Sequence, residues 1–212
     1  MPLVQCYTVR VMSSQRVRAL IVAWSAGLWL WCPSPASAQF ADVFRDFTDH
    51  IERQIKQDKQ YFVDAEFCIQ WFYKQQKKPG QPKAEGISLP ALHTSDCPAR
   101  YPGGLNAARE DFSSTQSALS LSLTFYQFAL VGDRNDDKRY NAAELQDMLE
   151  SFGLSYDRSR PASAHVTALT STFDGLHKTG GLERLMTSMG TLFDKGYRLT
   201  PRDRSALDQV SK

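Results

Sequence analysis

Histidine is scarce in this chain. Only His50, His93, His165 and His177 occur among 212 residues, and no two stand four apart, the spacing that builds a zinc site on one helical face. Each reads as a surface or connector residue. There is no glycine-rich phosphate loop, no nucleophile-elbow serine and no haem-attachment pair. No side chain therefore nominates itself as a nucleophile or general base. Asp64 and Glu66 lie beside an aromatic segment but on different faces of it. Charge of one sign is missing as well, since 25 Lys plus Arg stand against 23 Asp plus Glu. With no basic face, nucleic-acid and anionic-membrane binding find no support. Period-two alternation is also rare, which excludes a sheet beyond a short loop pairing.

No uninterrupted apolar run reaches the roughly 20 residues that span a bilayer. The longest candidate, Ala19 to Trp31, is broken by Ser25 and Gly27. It follows Arg16 and Arg18 and precedes a Cys-Pro-Ser-Pro segment and the small residues Ala36, Ser37 and Ala38. This order reads as an export signal over residues 1–38, cleaved before Gln39, and places the protein in the periplasm or outside the cell. A start at Met12 would shorten the leader without changing its reading, and a retained anchor is the alternative. Bulky Trp31 ahead of Cys32 argues against lipid attachment there. The leader carries Arg10, Arg16 and Arg18 and no acid, so residues 39–212 are left about one unit negative. That length suits one domain with its own core.

Cysteine is sparse too. Of four, the leader removes Cys6 and Cys32 and leaves Cys68 and Cys97. In an oxidising compartment this pair is expected to form a disulfide, stabilising by about 3 kcal/mol on a chain-entropy argument. The alternative is two separate thiols, with Cys68 buried on its helix.

What the chain does have is helical periodicity. Over residues 39–77, Phe40, Val43, Phe44, Phe47, Ile51 and Ile55, then Phe62, Phe67, Trp71 and Phe72, recur at three and four, giving two helices or one bent one. The Phe67, Trp71 and Phe72 stripe reads as core. Residues 78–112 collapse into prolines and glycines and read as an extended connector pinned by Cys97. Helices resume in 113–212, where Ser113, Ser114 and Thr115 offer capping oxygens. Pro161 breaks the chain before a helix from Ala164 to His177, and Gly180 and Gly181 separate that from a helix over Leu182 to Phe193. Thr200 as N-cap, Pro201 at the first helical position and Asp203 as capping acid start a last helix carrying Leu207 and Val210. The expected fold class is all-α, an irregular helical bundle with a Pro/Gly-rich connector, and 39–212 as one domain.

One segment carries chemistry. From Asp133 to Glu144 the sequence DRNDDKRYNAAE puts oxygen-bearing side chains at positions 1, 3, 5, 9 and 12 and Tyr140 at position 8. A hard divalent cation takes six to eight oxygens, and alternate residues of a turn entering a helix can gather them. Asp133, Asn135 and Asp137 would supply side-chain oxygens and Arg139 a backbone carbonyl. Asn141 would supply a direct or water-bridged oxygen and Glu144 two at once. An apolar run from Leu119 to Val131 precedes the loop, and Leu145, Met148, Leu149 and Phe152 follow it at helical spacing.

On these residues the segment, roughly 115 to 153, resembles an EF-hand, a helix, calcium loop and helix unit. The resemblance implies Ca2+ as the cofactor and Asp133, Asn135, Asp137, Arg139, Asn141 and Glu144 as its ligands. Two positions depart from the family. Lys138 stands at position 6, where glycine is usual because φ is positive, at a cost of about 1 kcal/mol. Gly132 stands where an aromatic is usual, leaving Val131 and Phe128 to supply the packing. Arg134, Lys138 and Arg139 offset the loop's acids, so an affinity of about 10⁻⁴–10⁻³ M is expected. Residues 194–203 resemble a shortened, degenerate hand that would bind no calcium and would back the first loop, with Leu199 as a strand contact. An ordinary helix-turn-helix is the alternative. Function follows as an exported calcium-binding protein, with the ion structural or ordering a partner surface. A metal-free helical interaction module of the envelope is the second reading, and an exported enzyme the third.

Overall fold

The computed structural model of the chain describes residues 35–76 and 96–212, and its fold is that of the unit Ala38–Lys212. Among these residues there are seven helices and no strand: α1 (Pro35–Gln76), α2 (Asp96–Arg100), α3 (Gly104–Gly132), α4 (Ala142–Ser151), α5 (Ala162–Thr179), α6 (Leu182–Asp194) and α7 (Pro201–Ser211). The protein is all-α, in keeping with its periodicity. No described helix is long and apolar enough to cross a membrane. The leader through residue 34, most of the proline-rich stretch and His93 lie outside the described residues.

Segment 39–77 resolves as a single helix because no proline or glycine interrupts Gln39 to Gln76. Val43, Phe44, Phe47, Ile51 and Ile55 form one stripe, all of it buried. The second long helix corrects the expected start at Ser113: α3 begins at Gly104, so residues 104–112 are helix and not connector. The serine and threonine hydroxyls bond back along the helix instead of capping it, Thr115 to the Asp111 carbonyl at 2.9 Å and Ser117 to that of Ser113 at 3.0 Å. This use is open to them anywhere in a helix. Gly104, at φ 71°, turns the chain from α2 into α3.

Phe125 is the hub of the main core. Its ring lies 5.9 Å from that of Phe47, 5.5 Å from Phe128, 5.7 Å from Phe152 and 4.8 Å from Phe173, so one side chain joins α1, α3, the end of α4 and α5. Leu145, Met148 and Leu149 of α4, Leu185 and Leu192 of α6, and Tyr197 complete this core. Their spacings of three and four supply the buried stripe of each helix. Gly180, left-handed at φ 72°, ends α5 and returns its N–H to the Leu176 carbonyl. That is the usual service of glycine at a helix C-terminus.

A separate cluster surrounds the disulfide. Cys68 and Cys97 are bonded, with Cα atoms 5.4 Å apart and a sequence separation of 29. Ala65, Tyr101 and Ala108 pack against the bridge, flanked by partly buried Phe67, Trp71, Phe72 and Phe112. Arg100 adds an ion pair to buried Asp64 at 2.7 Å. Replacing both cysteines with serine should lower unfolding free energy by about 3 kcal/mol, read as a reduced urea midpoint. An unmoved midpoint would mean that packing alone holds α2.

Candidate metal centre

α3 ends at Gly132, where the Asp133 N–H turns back to the Leu130 carbonyl and the Met148 side chain of α4 packs close. A β-carbon on Gly132 would clash with the Met148 thioether, so the aromatic expected there from the family would have to displace that side chain. The loop beyond uses two left-handed residues, Asp136 at φ 56° and Lys138 at φ 60°. Lys138 is the residue from which the sequence demanded that conformation, and Asp136 is an addition. Non-glycine residues adopt it at a cost of about 1–2 kcal/mol each, and the surrounding contacts have to offset this.

Those contacts are made by the acids. Asp133 is 5 % exposed. Its Oδ1 accepts from the Asp137 N–H at 3.1 Å and its Oδ2 from the Lys138 N–H at 2.7 Å. Asn135 Oδ1 accepts from that same Asp137 N–H at 3.2 Å, and Asn135 Nδ2 donates to Asp137 Oδ2. Glu144, 3 % exposed, folds back across the loop. Its Oε1 accepts from the Arg134 N–H at 3.1 Å and its Oε2 from the Asn141 N–H at 2.7 Å. Asn141 Oδ1 accepts from Ala143 and Glu144, completing a capping box on α4. The six positions thus divide. Asp133 and Asn135 gather on the Asp137 amide, and Glu144 reaches the Arg134 amide next to Asp133. Asn141 serves as a helix cap, and Arg139 stays exposed.

The electrostatics follow from burial. Burial pushes Asp133 up to about 6, with two backbone N–H groups opposing and the charges of Asp137 and Glu144 adding to it. Glu144 is raised too, first by burial, against the amides of Asn141 and Arg134. Three carboxylates therefore sit close enough to repel one another. Among the described residues, however, no three acidic, histidine or cysteine side chains form a ready metal cage. The donors fit a hard cation in kind, being all oxygens. A carboxylate oxygen bonded to one amide also keeps a second lone pair. A cleft of ≈ 420 Å³ opens beside the loop, lined by Asp133, Asp136 and Lys138 together with Phe44, Tyr126 and Leu130.

The turn between α6 and α7 lies against this loop. Thr200 and Asp203 form a reciprocal capping box with Pro201 at the first position, the arrangement expected from the sequence. The strand contact expected between Tyr140 and Leu199 is not made among the described residues. Tyr140 is fully buried and donates to the Ala129 carbonyl at 2.7 Å, which takes it into the core. Side chains join the two turns instead. The Arg134 guanidinium lies 5.4 Å over the Tyr197 ring, and Arg202 reaches the carbonyl and carboxylate of Asp136 at 3.2 and 3.6 Å.

Reading the histidines as surface residues is corrected for His165 and His177, while His50 stays at the surface in a paired state. His165, 4 % exposed, donates to the Asp157 carbonyl, and His50 bonds to Asp174 at 2.9 Å. His177 bonds to buried Asp58 at 3.0 Å. Asp58 also accepts from Ser122 at 2.6 Å and Gln54 at 2.9 Å. Serine, histidine and aspartate meet here in the wrong order for nucleophilic catalysis. The carboxylate stands between the other two, so no imidazole withdraws the Ser122 proton. Ser122 is moreover fully buried.

Comparison with known proteins finds no match, whether to a protein-family model, a curated protein or a solved structure.

Proposed function

We propose that this is an exported calcium-binding protein whose ion site is the 133–144 loop and whose calcium supports the fold. The observation that carries the reading is the return of Glu144 to the start of its own loop. With Glu144 on the Arg134 amide and Asp133 on the Asp137 and Lys138 amides, the first and last oxygen donors close one ring of backbone. Asp133 and Asn135 accept from the same amide, that of Asp137. Bound calcium would supply charge neutralisation among Asp133, Asp137 and Glu144. The chain does the remainder, holding the buried Asp133 and Glu144 oxygens by backbone N–H groups and the exposed Asp137 carboxylate by the Asn135 side-chain amide. Stabilisation follows mass action and reaches about 1.4 kcal/mol at calcium ten times the dissociation constant.

Calorimetric titration with calcium chloride tests this. Saturable heat is expected with a dissociation constant of about 10⁻⁴–10⁻³ M, lost in Glu144→Gln. Glutamine still accepts in the capping box, so the variant keeps its helix while losing the charge. Heat that survives in the variant would place the ion elsewhere.

A second reading, a metal-free interaction module, is favoured by one observation: every carboxylate of the ring already has an amide partner. Absence of heat in the unaltered protein at ten times the upper limit of that range would select it.

A further inference from the structure

The geometry points to the α6–α7 turn, through Arg202 and Tyr197, as the positioning element that holds the 133–144 loop in its closed shape; the consequence for ion affinity rests on the function proposed above. Asp136 is the loop residue between the donors Asn135 and Asp137, and it is left-handed. On its own loop it is tied only through its N–H, which donates to the Asp133 carbonyl at 3.3 Å, and that bond leaves its carbonyl and carboxylate to be held from elsewhere. The second turn holds both. Arg202 donates to the Asp136 carbonyl and sits beside its carboxylate, and Thr200 Oγ1 lies 3.4 Å from Asp136 Oδ2. One residue before the donors, the Arg134 side chain lies over Tyr197. Gly196, at φ 94°, makes the turn that brings Tyr197 under Arg134, whose Nη2 a β-carbon there would only touch, at 3.5 Å.

Tyr197 is itself anchored by packing and a hydrogen bond. It is 1 % exposed, and its hydroxyl donates to Asp147 of α4 at 2.8 Å. Lys195 reaches Asp147 and Glu150 from the same turn. The second turn therefore grips the loop at 134 and 136 and the exit helix at 147 and 150. A donor set fixed before the ion arrives does not spend binding energy on ordering, so preorganisation appears as affinity. By linkage, an ion held in the loop tightens α7 by the same factor.

The sign of the effect separates positioning from plain charge. Arg134 and Arg202 are cations beside a cation site, so by Coulomb's law alone their removal would tighten calcium binding. Positioning requires the reverse. The test uses the full chain carrying Arg134→Ala and Arg202→Ala together, with Arg204→Ala, an exposed neighbour on α7, as control. Calcium affinity is read by calorimetry and amide hydrogen exchange is read in chelator. The double variant should bind about tenfold more weakly, a coupling of about 1.4 kcal/mol. Its amides at 136–138 should exchange faster even without metal, and Arg204→Ala should match the parent in both. Affinity unchanged or tightened, with exchange unchanged, overturns the proposal. If the parent chain takes up no calcium, the ion reading fails by itself. Exchange then decides the clamp: faster exchange in the double variant upholds it, and equal exchange ends it.

Discussion

Phe125→Ala should lower the unfolding free energy by about 3–5 kcal/mol. The residue is fully buried and its ring meets four others drawn from α1, α3, α5 and the end of α4. Truncation removes the transfer free energy of a benzyl group and leaves a cavity between helices that lean on one another through that ring. The surroundings cannot collapse into it without breaking the contacts of Phe128 and Phe173. Aromatic pairs contribute a further 0.5–1.5 kcal/mol or so each beyond burial, so the upper half of the range is expected. Urea unfolding monitored by circular dichroism gives the number, and a loss below about 1 kcal/mol would show that the bundle does not hinge on this ring.

Asp58→Ala should cost a comparable amount, about 3–5 kcal/mol near neutral pH, and it should also change the response to acid. Asp58 is 3 % exposed. Burial pulls its pKa upward, yet hydrogen bonds from His177, Ser122 and Gln54 outweigh this and hold the carboxyl below its usual value. A carboxyl held low stabilises the fold above its unfolded value, near 4, and loses that contribution as pH falls through its folded value. The parent should therefore lose stability below about pH 4 more steeply than Asp58→Ala, which has already forfeited that contribution. Parallel acid limbs would remove Asp58 from the account. Deleting the carboxylate also strands the Ser122 hydroxyl and the His177 and Gln54 donors, the usual origin of large losses in buried networks.

How much of this could be read from the residues alone depends on the range of the interaction. α5, α6 and α7 announce themselves, because Pro161, the Gly180 and Gly181 pair and the Thr200, Pro201, Asp203 cap are local signals within a turn of the ends they set. The loop was legible for the same reason, and Lys138 was correctly singled out for positive φ. The spacing of Asn141 and Glu144 was legible as well, but its oxygens were assigned wholly to an ion, although the pattern is equally a capping box. The start of α3 was missed because glycine and proline density argued for a connector, while the disulfide and the buried Ala108 hold residues 104–112 helical. No signal at all marked the histidines. His177 and Asp58 are 119 residues apart, and His50 and Asp174 are 124. No periodicity encodes a pairing at that distance. The contact between the two turns was expected through backbone at position 8, but Tyr140 is drawn inward and side chains bridge the gap.

α1 runs for 42 residues, about 60 Å at the usual rise, and it serves two apolar clusters in turn: the hub around Phe125 with its first half and the bridge at Cys68 with its second. Such a rod opens in stages. Its distal half rests on few buried side chains and one covalent tie, so a reducing milieu would fray that end while the globular half kept its protection. Strength along α1 is thus graded by redox conditions at one extremity only, remote from the ring of oxygens at the other.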